Sequence, residues 1–111
     1  MNSIAKKSQT QSLQLAAKLH QKLAGIFGEK TQVILYGSQA RGEAVEDSDI
    51  DVLVVLPDLG KTTLDTALDI AWEVGFEAGK VLSIIPATDK EMKCLSASPF
   101  FQAVQREGIP V

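Results

Sequence analysis

Two aspartates, Asp49 and Asp51, stand two residues apart at the start of an apolar run that predicts a β-strand. Because side chains alternate along a strand, both carboxylates point to the same face, roughly 7 Å apart along the backbone. Two like charges this close repel each other, and a shared cation relieves that repulsion. Oxygen ligands at this spacing favour magnesium. Asp49 and Asp51 are therefore predicted to hold a metal ion.

The segment before the two aspartates carries groups that suit a phosphate. Gly37 ends the apolar run Gln32–Tyr36, and without a Cβ it allows a sharp turn and a close approach of phosphate to the backbone. Ser38 adds a hydroxyl donor. A helical turn over residues 38–41 would direct its free N–H groups to the same place. Beside a metal ion, this segment is predicted to bind the phosphates of a nucleoside triphosphate.

Arg41 allows two interpretations. Its guanidinium can donate a pair of charge-assisted hydrogen bonds to a phosphate or substrate oxygen. It can equally form a surface ion pair with Glu43, Glu46 or Asp47. The sequence leaves both alternatives open.

The spacing of these residues resembles a known signature. Gly37-Ser38, ten intervening residues and Asp49-Ile50-Asp51 resemble the motif of the DNA polymerase β-like nucleotidyltransferase superfamily. The run from Gly37 to Gly42, followed by Ser48 to Asp51, is similar to its small bacterial and archaeal branch, the minimal nucleotidyltransferases. The resemblance covers most of the chain from about Val33 onward.

The resemblance implies an activity and assigns residues to it. Members of the superfamily transfer a nucleoside monophosphate from a nucleoside triphosphate, here expected to be ATP, to an acceptor hydroxyl, with two Mg²⁺ ions. Gly37 and Ser38 match the phosphate-binding pair, and Arg41 is a further candidate phosphate ligand. Asp49 and Asp51 match the catalytic, metal-binding acids. The acceptor hydroxyl can belong to a partner protein.

One position departs from the pattern that the resemblance implies. Catalytic members carry a third carboxylate on a later strand, but the matching segment, residues 80–86, contains no acid. Ser83 is its polar candidate, and a neutral hydroxyl is a weak magnesium ligand and a poor base. Asp89 follows Pro86 and is predicted to lie at the start of the next helix instead.

The resemblance therefore leaves two functions open. The first is a transferase that modifies a partner. The second is a catalytically weak, antitoxin-like module that pairs with a small helical toxin of the HEPN type. The resemblance also implies that small members can complete their site with another subunit, so a homo-oligomer remains an alternative.

The elements that must position these residues follow from hydrophobic periodicity and from turn residues. Helices are predicted over residues 12–27 and 63–78, from residue 88 onward and over 100–106, and strands over 32–36, 50–56 and 81–85. This order predicts an α/β (α+β) domain of the nucleotidyltransferase fold, with a small mixed sheet covered by helices on one face. Residues 1–111 are expected to form one domain, with 1–11 as a frayed N-terminus.

Composition excludes several other classes of protein. A hydrophobic fraction of 45% and a charged fraction of 23% are typical of folded domains. The net charge of −3 disfavours a domain that binds nucleic acid through bulk charge. One cysteine and one histidine cannot build a zinc site of N and S ligands. No apolar run is long enough to span a membrane, and a cytoplasmic location is expected.

Overall fold

The computed structural model describes residues 3–42 and 49–111, with side chains from Gln9 onward. Its elements are helix α1 (Ser3–Phe27), strand β1 (Gln32–Tyr36), helix α2 (Gly37–Arg41), strand β2 (Ile50–Val55), helix α3 (Lys61–Ala78), strand β3 (Leu82–Ala87), helices α4 (Asp89–Cys94) and α5 (Pro99–Glu107), and strand β4 (Ile109–Pro110). None of these helices is both long and apolar enough to cross a lipid bilayer.

The four strands form one mixed sheet in the order β3-β2-β1-β4. Strand β1 is antiparallel to β2 and β4, whereas β2 and β3 are parallel. The register places Asp51 beside Tyr36 on one side and beside Ser83 on the other. These three residues therefore share one face of the sheet, since paired residues on neighbouring strands point the same way.

The opposite face of the sheet carries the main hydrophobic core. Helices α1 and α3 pack on it, as the sequence predicts. The core side chains are fully or almost fully buried and include Ala16, Leu19 and Leu23 of α1, Ala67, Ala71 and Val74 of α3, and Val33, Leu35, Ile50, Val52 and Val54 of the sheet. The alternation along β2 thus directs Ile50, Val52 and Val54 into this core and leaves Asp51 and Leu53 on the other face.

The face that carries Asp51 is partly covered by α5. Phe101 and Val104 of this helix form a second, smaller cluster with Leu53 and Ala87. As predicted, α1 and α3 cover one face of the sheet. In addition, the short helix α5 covers part of the other face. Ser98 accepts a hydrogen bond from the backbone N–H of Phe101 at 3.2 Å, and Pro99 occupies the first turn. This cap fixes where α5 begins.

The structure corrects the predicted bounds of α1 and β3 and adds one strand. Helix α1 begins at Ser3, so the residues expected to fray are helical from that point. Strand β3 continues through Pro86 to Ala87, because it lies at a sheet edge, where a missing N–H costs no ladder hydrogen bond. Strand β4 was not predicted. It is only two residues long, too short to show a hydrophobic period.

The chain end is held against α1 through His20. The Nδ1 atom of this side chain lies 2.7 Å from the carbonyl oxygen of Val111, and Nε2 lies 2.8 Å from that of Thr31. Residue type and spacing did not indicate these partners, since both are backbone carbonyl groups outside α1. His20 thereby connects α1 to the sheet edge at β4.

Candidate functional site

The central feature of the site is the contact between Gly37 and Asp51. Gly37 follows β1 directly and has a φ of +75°, in the left-handed region that favours glycine. A Cβ at this position would lie 2.9 Å from Oδ2 of Asp51. The glycine therefore brings the bare backbone of α2 against the carboxylate. The two motif halves that the sequence separates by ten residues meet here.

Asp51 has polar neighbours on both sides in the sheet. Tyr36 pairs with it across the antiparallel ladder, and Ser83 pairs with it across the parallel one. Asp49 precedes β2 and is exposed. The position that the resemblance assigns to a third carboxylate is thus beside Asp51 in space, and an exposed Ser83 side chain occupies it.

The ionisation of Asp51 reflects this setting. Burial raises the pKa of the Asp51 carboxyl, and the nearby charge of Asp49 raises it further. Burial and the charge of Asp51 together raise the pKa of Tyr36 to about 12. Tyr36 is therefore neutral at physiological pH, and its phenol can donate a hydrogen bond but cannot act as a base. The two carboxylates supply the negative charge at this point.

The carboxylates of Asp49 and Asp51 are the kind of oxygen ligand that Mg²⁺ prefers. In residues 3–42 and 49–111, no group of three or more His, Cys, Asp or Glu side chains is placed to hold a metal. The predicted site thus offers two acidic ligands. A divalent cation would relieve the electrostatic repulsion between their carboxylates.

Helix α2, which carries Ser38 and Arg41, is held at its C-terminal end. Its C-terminus is closed by Gly42, with a φ of +71°. From α1, the Gln9 side chain donates a hydrogen bond through Nε2 to the carbonyl oxygen of Ala40 at 3.0 Å. The N-terminal half of α1 therefore supports the segment that was predicted to bind phosphate, and Ser38 is half-buried in it.

Arg41 forms an ion pair that the sequence did not indicate. Its Nη1 atom lies 3.3 Å from Oε2 of Glu107 at the end of α5, and both side chains are about 40% exposed. The predicted partners Glu43, Glu46 and Asp47 lie outside the described residues. An exposed pair of this kind contributes little stability, so a phosphate could compete with Glu107 for the guanidinium.

A cavity of about 260 Å³ opens beside Gly37 on the Asp51 face. Tyr36, Arg41, Phe100 and Glu107 contribute to its walls. Tyr36 and Phe100 meet edge to face, with ring centroids 5.6 Å apart. The Phe100 side chain is 40% exposed. Only the packing of α5 brings it next to the glycine turn.

The fold and the site together define a class of protein, and comparison with known proteins agrees. The chain belongs to the nucleotidyltransferase domain family, which matches residues 16–103. A solved structure described as a "putative minimal nucleotidyltransferase" superposes with a TM-score of 0.52 at 30% identity, covering 96% of this chain and 91% of the other.

Two relatives from Methanocaldococcus jannaschii are each described as a "putative protein adenylyltransferase". The first is 36% identical over 71% of this chain, and the match spans 56% of that protein's length. The second is 31% identical over 73% of this chain and 77% of its own length. A toxin–antitoxin structure with AMP-PNP shares the fold, with a TM-score of 0.56 at 22% identity over 84% of this chain and 69% of the other.

Proposed function

We propose that this domain binds Mg²⁺-ATP between the Gly37 turn and the Asp49–Asp51 pair, and that it transfers AMP to a hydroxyl of a protein partner. The observation that carries the proposal is the 2.9 Å approach of a Gly37 Cβ position to Asp51 Oδ2, because it brings the segment predicted to bind phosphate against one of the two acids predicted to bind the metal. The names of the two archaeal relatives favour protein as the acceptor and adenylate as the transferred group.

The residues of the site fit the metal that this chemistry needs. Asp49 and Asp51 would hold Mg²⁺. When bound, the ion neutralises phosphate charge and orients the α-phosphate for displacement. Gly37 leaves room for a phosphate oxygen at the backbone, and the Ser38 hydroxyl can donate to it. Tyr36 stays protonated, so it adds no further negative charge to a site that must accept a triphosphate.

The transfer balances without a further reactant. The acceptor oxygen forms a bond to the α-phosphorus, the bond from that phosphorus to pyrophosphate breaks, and the acceptor hydroxyl loses its proton. Ser83 stands where a carboxylate would receive that proton, and its hydroxyl is not basic at neutral pH. We therefore expect proton transfer to water and a slow basal rate.

The proposal is tested by calorimetric titration of ATP in the presence of Mg²⁺. Wild type is expected to bind, and the double variant Asp49→Asn/Asp51→Asn is expected to show at least 10-fold weaker binding, because its site no longer attracts the cation. Asp58→Asn is the matched control, since an asparagine oxygen can still accept the hydrogen bond from Gly60 N–H.

Transfer is then followed with ATP labelled on the α-phosphate, added to proteins extracted from the source cells. A labelled protein that appears with wild type, and not with the double variant, is the expected result. Equal Mg²⁺-ATP binding by the wild type and the double variant would contradict the site, whereas binding without labelling would contradict only the transfer.

A second function, an antitoxin-like module with weak catalysis, is favoured by one observation. Ser83 occupies the position beside Asp51 where the resemblance implies a third acid. A toxin–antitoxin assembly among the structural neighbours supports this alternative. It predicts that the double aspartate variant still binds and neutralises the partner, whereas the transferase hypothesis predicts that neutralisation is lost.

The role of Arg41 can be tested through its ion pair. If the guanidinium must leave Glu107 to reach a phosphate, Glu107→Gln should tighten Mg²⁺-ATP binding by roughly 2- to 5-fold, in line with the small energy of an exposed pair. Arg41→Gln should weaken it. Glu29→Gln, an equal change of charge at an exposed position, is the control. Unchanged affinity in both variants would assign Arg41 to surface pairing alone.

A further inference from the structure

An apolar surface lies along α3 and extends to the start of β3. Leu68, Trp72 and Phe76 follow one another at four-residue steps and are 53%, 65% and 69% exposed. The Trp72 and Phe76 rings are stacked, with centroids 4.8 Å apart. Val81, which is 61% exposed, lies across a groove of about 610 Å³ from them. We call these four side chains the α3 aromatic surface.

The length of this surface suits a helix. The four-residue steps from Leu68 to Phe76 extend over about 12 Å along α3, since each residue rises 1.5 Å. A helix of three or four turns with apolar residues at three- and four-residue steps would present a matching row. The groove between α3 and Val81 provides the concave side of such a contact.

An acidic row runs beside the aromatic one. Its members stand four residues apart and are Asp65, Asp69, Glu73 and Glu77. Each lies one or three residues from a member of the apolar row. Lys61 pairs with Asp65 and Lys18 with Glu77. Across the described part of the chain, Asp69 and Glu73 have no basic side chain within 4.0 Å. Lys80 is the basic residue that lines the groove, at the end near the α3 C-terminus.

The charge pattern disfavours a second copy of this chain. In an antiparallel pair of α3 helices related by a two-fold axis, the two acidic rows would lie on the same side and repel. The exposed apolar area is on the order of 500 Å², given about 150–250 Å² per aromatic side chain. This is about the apolar share of an interface that buries about 800 Å² from each partner.

We infer that the α3 aromatic surface is a docking site for an amphipathic helix of a protein partner, with an apolar row flanked by Lys or Arg. The inference extends the proposed function by assigning the surface that receives the partner. Docking on the α3 aromatic surface and nucleotide binding at the Gly37 turn use different side chains, so the two proposals are tested by different variants.

The test uses a built-in reporter, since Trp72 is the only tryptophan. Two synthetic helical peptides share an apolar row of Leu, and one carries Lys and the other Glu along the flank. The Lys peptide is expected to shift the Trp72 emission to shorter wavelength and to bind at least 10-fold more tightly than the Glu peptide. Phe76→Ser should weaken binding at least 10-fold, and Asp69→Lys/Glu73→Lys should reverse the peptide preference.

Three controls make the result decisive. Glu29→Lys, remote from the surface, should leave the preference unchanged, and Mg²⁺-ATP binding should be the same in Phe76→Ser as in wild type.

Equal binding of both peptides, or no binding of either, would overturn the inference. A wild-type dimer in sedimentation velocity that dissociates in Phe76→Ser would also overturn it, in favour of a second copy. If Phe76→Ser does not fold, the reversal in the double lysine variant decides.

Discussion

Asp51→Asn is expected to lower nucleotidyl transfer by at least about 100-fold and, in the absence of metal, to raise the melting temperature. Activity falls because metal coordination at the reacting phosphate is worth several kcal/mol, and each 1.4 kcal/mol is a factor of ten. The melting temperature rises because burial and the nearby charge of Asp49 both destabilise the ionised Asp51 carboxylate. The same two causes raise the pKa of Asp51.

The sign of the pH dependence follows from the same shift. Because the pKa of Asp51 is higher in the folded than in the unfolded chain, the folded state binds more protons, and stability decreases as the pH rises through the raised pKa. The excess stability of Asp51→Asn over wild type should therefore be small at acid pH, where Asp51 is protonated in both the folded and the unfolded state. It should reach its full value at neutral pH. Thermal melts of both proteins across this range, without metal, measure it.

Magnesium provides the matching control for Asp51→Asn. Adding Mg²⁺ should raise the melting temperature of wild type, because a ligand that binds only the folded state stabilises it, and should leave Asp51→Asn almost unchanged. Asp58→Asn should behave as wild type. A drop in melting temperature for Asp51→Asn without metal would show that Asp51 supports the fold rather than a cation.

Ser83→Asp is expected to increase nucleotidyl transfer roughly 10-fold or more. The register places this residue directly beside Asp51 on the exposed part of the same face, so the new carboxylate would join the acidic pair. It would add a third metal ligand and a base for the acceptor hydroxyl, and positioned bases contribute about 100-fold or more to reactions of this kind. Without metal, the additional like charge should lower the melting temperature.

Initial rates and melts of Ser83→Asp with and without Mg²⁺ measure both effects. Ser83→Asn is the control, since it has nearly the same shape and no charge. Equal rates for the two variants would show that the site does not use a third acid. A rate for Ser83→Asp below that of wild type would show that the Ser83 hydroxyl itself has a role.

Much of the fold follows from local sequence. Strand β1 begins and ends at the predicted residues, Gln32 and Tyr36, because β-branched and aromatic side chains are bounded by a glycine. The capping box of Thr88 and Glu91 is present, with the Glu91 N–H donating to the Thr88 hydroxyl at 3.2 Å. Caps and short apolar runs act within a few residues, so a single sequence carries them.

Residues outside the motif were harder to predict because their partners are distant along the chain. Gln9 supports Ala40 from 31 residues away, and Glu107 reaches Arg41 across 66 residues. Hydrophobic periodicity identifies which elements form, but it does not say which helix end meets which loop. The exposure of Trp72 and Phe76 is another such case, since an apolar row at helical spacing has the same sequence whether or not anything covers it.

The sequence by itself determined the chemistry of the candidate site: a glycine and a serine that can meet phosphate, two aspartates that can share a cation, and the strand in which a third acid is missing. The tertiary structure decided where these groups stand. Only the sheet register places Ser83 beside Asp51, and only the packing of α5 adds Phe100 and Glu107 to the wall near Gly37. The reason is physical: residue type and spacing fix what a side chain can bind, whereas strand order and helix packing fix which side chains meet.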